Sequence, residues 1–72
     1  MVEMRTVILN KQPVELYKVL KFEGLVASGG EAKLVIEQGM VQVNGELEMR
    51  KRRKLVSGDQ IEFGGHQLTL SL

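Results

Sequence analysis

Five consecutive cationic residues, Arg50-Lys51-Arg52-Arg53-Lys54, lie inside a chain of only 72 residues, and every fold of this sequence has to accommodate them. They follow an alternating stretch. Val41 and Val43, then Asn44-Gly45, then Leu47 and Met49 read as a β-hairpin turned by the Asn-Gly pair. Successive side chains of a strand point to opposite faces. With Leu47 and Met49 facing the core, Lys51 and Arg53 would follow them inward. A chain this short buries only about 60% of the surface it exposes when unfolded, and burying a lone charge costs many kcal/mol. The ladder is therefore expected to break near Arg50. Arg50 to Lys54 should form a bulged, twisted or looped segment, exposed on most sides, before Leu55 and Val56 return to the core.

The flanking sequence supplies the elements that frame this segment. Met4 to Leu9 is β-branched and apolar and reads as a short strand. Pro13 suits the first turn of a helix, and Leu16, Tyr17, Val19 and Leu20 continue at helical spacing, so helix one is placed at Val14–Phe22. Gly24 with Leu25 behind it fits a Schellman ending. Ser28-Gly29-Gly30-Glu31 matches the S-x-x-E capping box that opens a second helix. Ala32, Val35 and Ile36 form its apolar stripe, Lys33 falls off that stripe, and Gly39 ends it with Met40 placed to pack back. Ser57-Gly58-Asp59 and Gly64-Gly65-His66 mark two further turns, leading to Ile61 and Phe63 and to Leu68 and Leu70. Two early helices and several late antiparallel strands make an α+β domain, with 1–72 as a single unit.

Several function classes drop out. The chain has no cysteine, which removes disulfides, thiol catalysis and zinc ribbons and favours a reducing, cytoplasmic setting. Val7-Ile8-Leu9 is far too short for a signal peptide's apolar region, and no stretch approaches the roughly 20 apolar residues of a membrane span. His66 is the only histidine, so no metal cluster can be built on it, and it reads as a hairpin-tip residue. The carboxylates are dispersed, and no P-loop or G-x-G-x-x-G is present. The chain is expected to be non-catalytic, with no metal and no cofactor.

Charge points to a partner instead. The net charge is only +1, but local potential, not the sum, governs phosphate binding. A bland alternative is that the run merely protects a sheet edge from aggregation. Two scattered lysines would suffice for that, whereas five adjacent cations repel one another in a way a phosphate partner would relieve. That reading requires the run to stay together on the surface, neither dispersed nor neutralised one by one by internal carboxylates. The start of helix two is a second candidate anion site, reinforced by Lys33, although Ser28 and Glu31 could simply cap each other. The only aromatics, Tyr17, Phe22 and Phe63, sit where the core would claim them. Without a stacking platform, contact would run through phosphates and shape, favouring structured RNA.

An ordered set of residues carries a family likeness: Leu16 and Leu20, Gly24-Leu25, Ser28, Glu31-Ala32-Lys33, Ile36, the run Gly39 to Gly45, Val56, and Gly58-Asp59-Gln60-Ile61. Over about two-thirds of its length the chain resembles the S-four-type RNA-binding domain, also called the αL motif, and its whole length is similar to the stand-alone YbcJ-like branch of that family. The resemblance implies two short helices packed on a small, mainly antiparallel sheet, with RNA held along both helices and the loop into the hairpin. Carried over residue by residue, it implies RNA contacts from Lys18, Lys21, Ser28, Lys33 and Asn44, beside Arg50, Lys51, Arg52, Arg53 and Lys54. Many members have an arginine directly after the serine that opens helix two, where this chain has Gly29. The expected partner is structured RNA, ribosomal or transfer RNA. The alternative is a protein-interaction module whose basic strand docks on an acidic partner.

Overall fold

Local stops decide where the chain turns back. In the structure, a computed structural model that describes residues 3–72, Gly24 and Gly39 both take left-handed backbone angles, φ +72° and +75°. Each leaves a helix by the same pair of hydrogen bonds. The Leu25 and Gly24 N–H groups donate to the carbonyls of Leu20 and Lys21, and those of Met40 and Gly39 to Val35 and Ile36. Those are the expected Schellman endings. The elements run β1 (Glu3–Ile8), β2 (Val14–Glu15), α1 (Leu16–Phe22), α2 (Gly29–Glu37), β3 (Val41–Val43), β4 (Glu46–Leu47), β5 (Lys54–Leu55), β6 (Gln60–Phe63) and β7 (His66–Ser71). This is the expected α+β arrangement of two helices on a sheet.

The main sheet has the strand order β1-β7-β6-β3-β4, and β2 with β5 makes a second, two-stranded sheet. All pairings are antiparallel except β1 with β7, which run parallel from Glu3↔His66 to Ile8↔Ser71. The first and last strands can pair in parallel because both helices lie between them in the chain and supply the crossover. Leu16, Val19 and Leu20 of α1 and Ala32 and Ile36 of α2 are buried against Val41, Val43, Ile61, Leu68 and Leu70 of the sheet, with Leu55 and Val7 completing the core. At roughly 1.5–3 kcal/mol for each buried aliphatic side chain, this cluster is the main favourable term holding the helices in place.

Helix one begins two residues later than the sequence suggests. Val14 and Glu15 are extended and pair with Leu55 and Lys54, so Pro13 precedes a strand, not a helix. The hairpin also differs from expectation, with larger consequences. Leu47 and Met49 are exposed, and Glu48 between them is buried at 5% exposure. The two-residue turn causes this: it pairs Val43 with Glu46 and Gln42 with Leu47, so Leu47 shares the outward face of Gln42. One step on, Glu48 lies opposite buried Val41, and its N–H donates to the Val41 carbonyl at 3.0 Å. The ladder then ends, close to the expected place. Beyond it Leu55 is buried as expected but Val56 is exposed, as is Met40 after helix two.

Candidate nucleic-acid interface

The cationic loop is built around the buried carboxylate of Glu48. Its Oε2 accepts from the Arg50 backbone N–H and Nε, both at 3.0 Å, and its Oε1 accepts from Arg50 Nη2 at 2.9 Å and Arg53 Nη1 at 2.8 Å. Hydrogen bonds from Arg50, opposed by burial and aided by Arg53, hold the Glu48 carboxyl down at about 2. The loop's main chain is engaged as well. Helix α1 starts without a side-chain cap, and its first two N–H groups, those of Leu16 and Tyr17, donate to the carbonyls of Arg53 and Lys51 at 2.9 and 3.1 Å. The loop thus satisfies helix donors that would otherwise be orphaned, which locks the cations beside α1.

The remaining cations tie the loop to both helices. Arg52 lies 3.4 Å from Glu15, which also pairs with Lys18 at 3.3 Å, and Lys51 pairs with Glu37 near the end of α2. Burial works against the Glu15 carboxylate, but Lys18 and then Arg52 outweigh it and hold its carboxyl below the usual range. The run stays together on the surface, yet it is not a set of free charges. Four of its five members have a carboxylate partner, and among the described residues Lys54 alone of the run has none. Self-repulsion within the run is therefore largely relieved inside the protein, which corrects the expectation that five adjacent cations need a phosphate partner to offset it.

Pairing does not exhaust the donors. A guanidinium carries five N–H donors in a fixed fork, and Arg50 spends one edge on Glu48 while its side chain remains 74% exposed. Arg50, Arg52, Arg53 and Lys54 by themselves line a shallow concavity of about 490 Å³. Such a surface presents oriented donors to an external oxyanion.

Tyr17 extends this surface onto both helices. Three cations lie over its ring, with Lys33 Nζ 4.7 Å, the Arg52 guanidinium 5.5 Å and Lys18 Nζ 5.9 Å from the centroid. Gly29 sits beside the same ring, where an added methyl group would be 3.8 Å from Tyr17 Cδ2 and 4.0 Å from Lys21 Cδ. Lys18, Lys33 and Arg52 therefore converge on one aromatic side chain, which the sequence marked only as core, and the Lys21 stem lies beside Gly29 next to it. Phe22, also expected inside, is 70% exposed. The buried stripe of α1 is Leu16, Val19 and Leu20, and Phe22 falls off it.

The other expected site residues are occupied locally. Ser28 Oγ accepts from the Glu31 N–H at 3.1 Å, and Glu31 reaches back to the Ala27 N–H at 2.7 Å. The capping box is present with its return bond one residue earlier than the usual pattern, and Glu31 sets an exposed negative charge at the start of α2, where a phosphate would approach. Asn44, at φ +54°, spans the turn between β3 and β4 and binds Asp59 and the Gln60 N–H. Its contacts fasten the hairpin to the start of β6, not to the cations. His66 opens β7 with its Nδ1 2.8 Å from Glu3, whose carboxyl His66 and Arg5 hold below the usual range. Among the described residues, no group of carboxylates and histidines is arranged to hold a metal, and no helix is long and apolar enough to cross a membrane.

Known proteins with similar sequences place these features in context. The model of the S4 domain matches residues 7–71. YbcJ of Escherichia coli (strain K12) is 47% identical over 66 residues, covering 90% of this chain and 94% of that protein. The "Probable ribosome maturation protein RlbA" of Bacillus subtilis (strain 168) is 35% identical over 57 residues, 79% of this chain and 80% of its own. A tyrosine–tRNA ligase of Bordetella pertussis is 37% identical over 59 residues, 82% of this chain but only 14% of the ligase. A solution structure of YbcJ from E. coli, described as containing an αL motif involved in RNA-binding, superposes with a TM-score of 0.74 at 44% identity, covering 100% of this chain and 92% of that one.

Proposed function

The chain belongs to the S4 domain family, and from that premise we propose that it is a non-catalytic, cytoplasmic RNA-binding protein that grips structured RNA by its phosphates and shape. The observation that carries this reading is the concavity lined solely by Arg50, Arg52, Arg53 and Lys54, continued by Lys18 and Lys33 over the Tyr17 ring and by Lys21 beside Gly29. Phosphate oxygens would take the guanidinium edges that Glu48 and Glu15 leave open, while those carboxylates keep the forks oriented. Ser28 and Asn44 would contribute less, through a hydroxyl and an amide already engaged within the protein. Relatives that include a tyrosine–tRNA ligase and a ribosome maturation protein support transfer or ribosomal RNA as the class of partner.

Counterion release supplies the test. If about four to six phosphates are neutralised, log affinity should fall with log salt at a slope of about −3 to −5. Titrating a structured RNA at several salt concentrations measures that slope, and a flat response would sink the reading. An acidic protein partner would also be salt-sensitive, so competition is run in parallel. Partners that survive nuclease treatment and are not displaced by free RNA would favour docking on protein instead.

A further inference from the structure

Helix α1 shows solvent two neighbouring ridges at i, i+4 spacing. Tyr17 and Lys21 face the start of α2, whereas Lys18 and Phe22 border a second depression that shares only Lys18 and Lys54 with the RNA-binding cations named above. This groove, about 730 Å³, runs between α1 and the end of β1. Buried Val19 belongs to its floor, Ile8 and Phe22 stand exposed at 65% and 70%, and Lys11, Lys18 and Lys54 complete it. Its two carboxylates are already committed, Glu15 to Lys18 and Arg52, and Glu23 to Arg5. Lys11 and Lys54 have no carboxylate partner among the described residues, so the groove carries uncompensated positive charge beside an open aromatic face.

We propose that this groove holds an unpaired nucleotide at the edge of the bound RNA, with the base stacked on Phe22 and its phosphate between Lys11 and Lys54. The inference rests on the RNA reading above and extends it to a second subsite. Two observations select this occupant. An exposed aromatic ring next to cations is the complement of a base with its phosphate, since every base offers a π-face. The groove is also continuous with the cationic concavity, because Lys54 lines both. A backbone lying on Arg50, Arg52 and Arg53 reaches the groove across Lys54 without leaving the protein.

The full chain is titrated with two RNA hairpins of identical stem, one blunt and one carrying a two-nucleotide single-stranded overhang. The overhang should tighten binding about tenfold, the size expected for one base on one aromatic ring. Phe22→Ala should remove that gain and leave the blunt hairpin's affinity unchanged, and Lys11→Ala should lower the gain severalfold. Phe22 is exposed, so an unchanged melting curve is expected for Phe22→Ala. The chain has no tryptophan, and in Phe22→Trp the overhang hairpin alone should quench the new fluorescence. Equal affinities with no quenching, or an equal loss for both hairpins in Phe22→Ala, overturn the groove assignment while leaving the wider RNA reading intact. Quenching by an acidic peptide and by neither hairpin overturns it in favour of a protein ligand. Failure of both hairpins to bind wild type takes down both readings together.

Discussion

Two regions of this molecule hold a carboxylate beside donors suited to an anion, and they use it in opposite ways. In the loop from Glu48 to Lys54, the carboxylate is buried beneath the cations. It holds one edge of Arg50 and one N–H of Arg53 and leaves their other donors unused by any carboxylate, with the Arg50 side chain 74% exposed. At the start of α2, the carboxylate of Glu31 is exposed and takes the N–H of Ala27 for itself. A guanidinium has donors to spare after one ion pair, whereas the exposed charge of Glu31 stands at the helix start itself and repels an anion that approaches it. The comparison shows that an internal ion pair does not by itself close a binding surface. What decides is how many donors the pair leaves free and on which side the carboxylate lies.

The comparison can be broken most severely by stripping the loop. Replacing Arg50, Arg52, Arg53 and Lys54 together by glutamine should weaken structured-RNA binding about 100- to 1,000-fold at 0.15 M salt and flatten the salt slope by about 3 to 4. If affinity survives, the loop is not the binding surface. A smaller effect is expected at its foundation, where Glu48→Gln should cost about 1–3 kcal/mol of folding stability, read by urea denaturation at pH 7. The pH dependence follows from the lowered carboxyl. Since folding depresses the Glu48 value from 4.5 to about 2, its stabilisation is complete above pH 4.5 and fades as pH falls toward 2. Glu48→Gln should lack that component of acid sensitivity, so the gap between the two proteins should narrow between pH 5 and pH 2.5.

Substitutions at the α2 start sharpen the other half of the contrast. Ser28→Ala should lower stability by about 1 kcal/mol yet leave the salt slope unchanged, because Ser28 carries no charge and Glu31 still repels a phosphate there. Gly29→Arg, beside Tyr17 with room for a side chain, should steepen the slope by about 1 and tighten binding severalfold. The smallest shift is expected from Glu31→Gln, which removes one negative charge from the helix start and should raise affinity by less than about threefold. A tenfold gain there would mean that the α2 start is a main binding site after all.

Features closed by residues within five positions of each other were readable in the chain itself. The Schellman stops at Gly24 and Gly39, the capping pair Ser28 and Glu31, and the Asn44-Gly45 turn are all of this kind, and the arrangement of two helices on a sheet follows from them. The inward turn of Glu48 was readable too, though the simple alternation of Leu47 and Met49 conceals it. Val41 and Val43 facing inward, together with a two-residue turn, oblige residue 48 to follow them. The signal lay in register across the hairpin, not in alternation along one strand.

Tertiary structure decided the rest, because the partners are far apart in the chain. Val14 and Glu15 become a strand only because Leu55 and Lys54 come alongside, overriding the helical pattern that begins near Pro13. Arg52 meets Glu15 and Lys51 meets Glu37 only once both helices are packed, so composition showed the cationic run but not its internal neutralisation. Phe22 was left outside because the sheet and α2 contact a single stripe of α1, and a short helix cannot bury two. Amino-acid order alone set the turns, the helix stops at Gly24 and Gly39 and the existence of a dense positive segment, since each depends on near neighbours. Which charges remained available, and which aromatic ring faced water, waited on the meeting of distant segments.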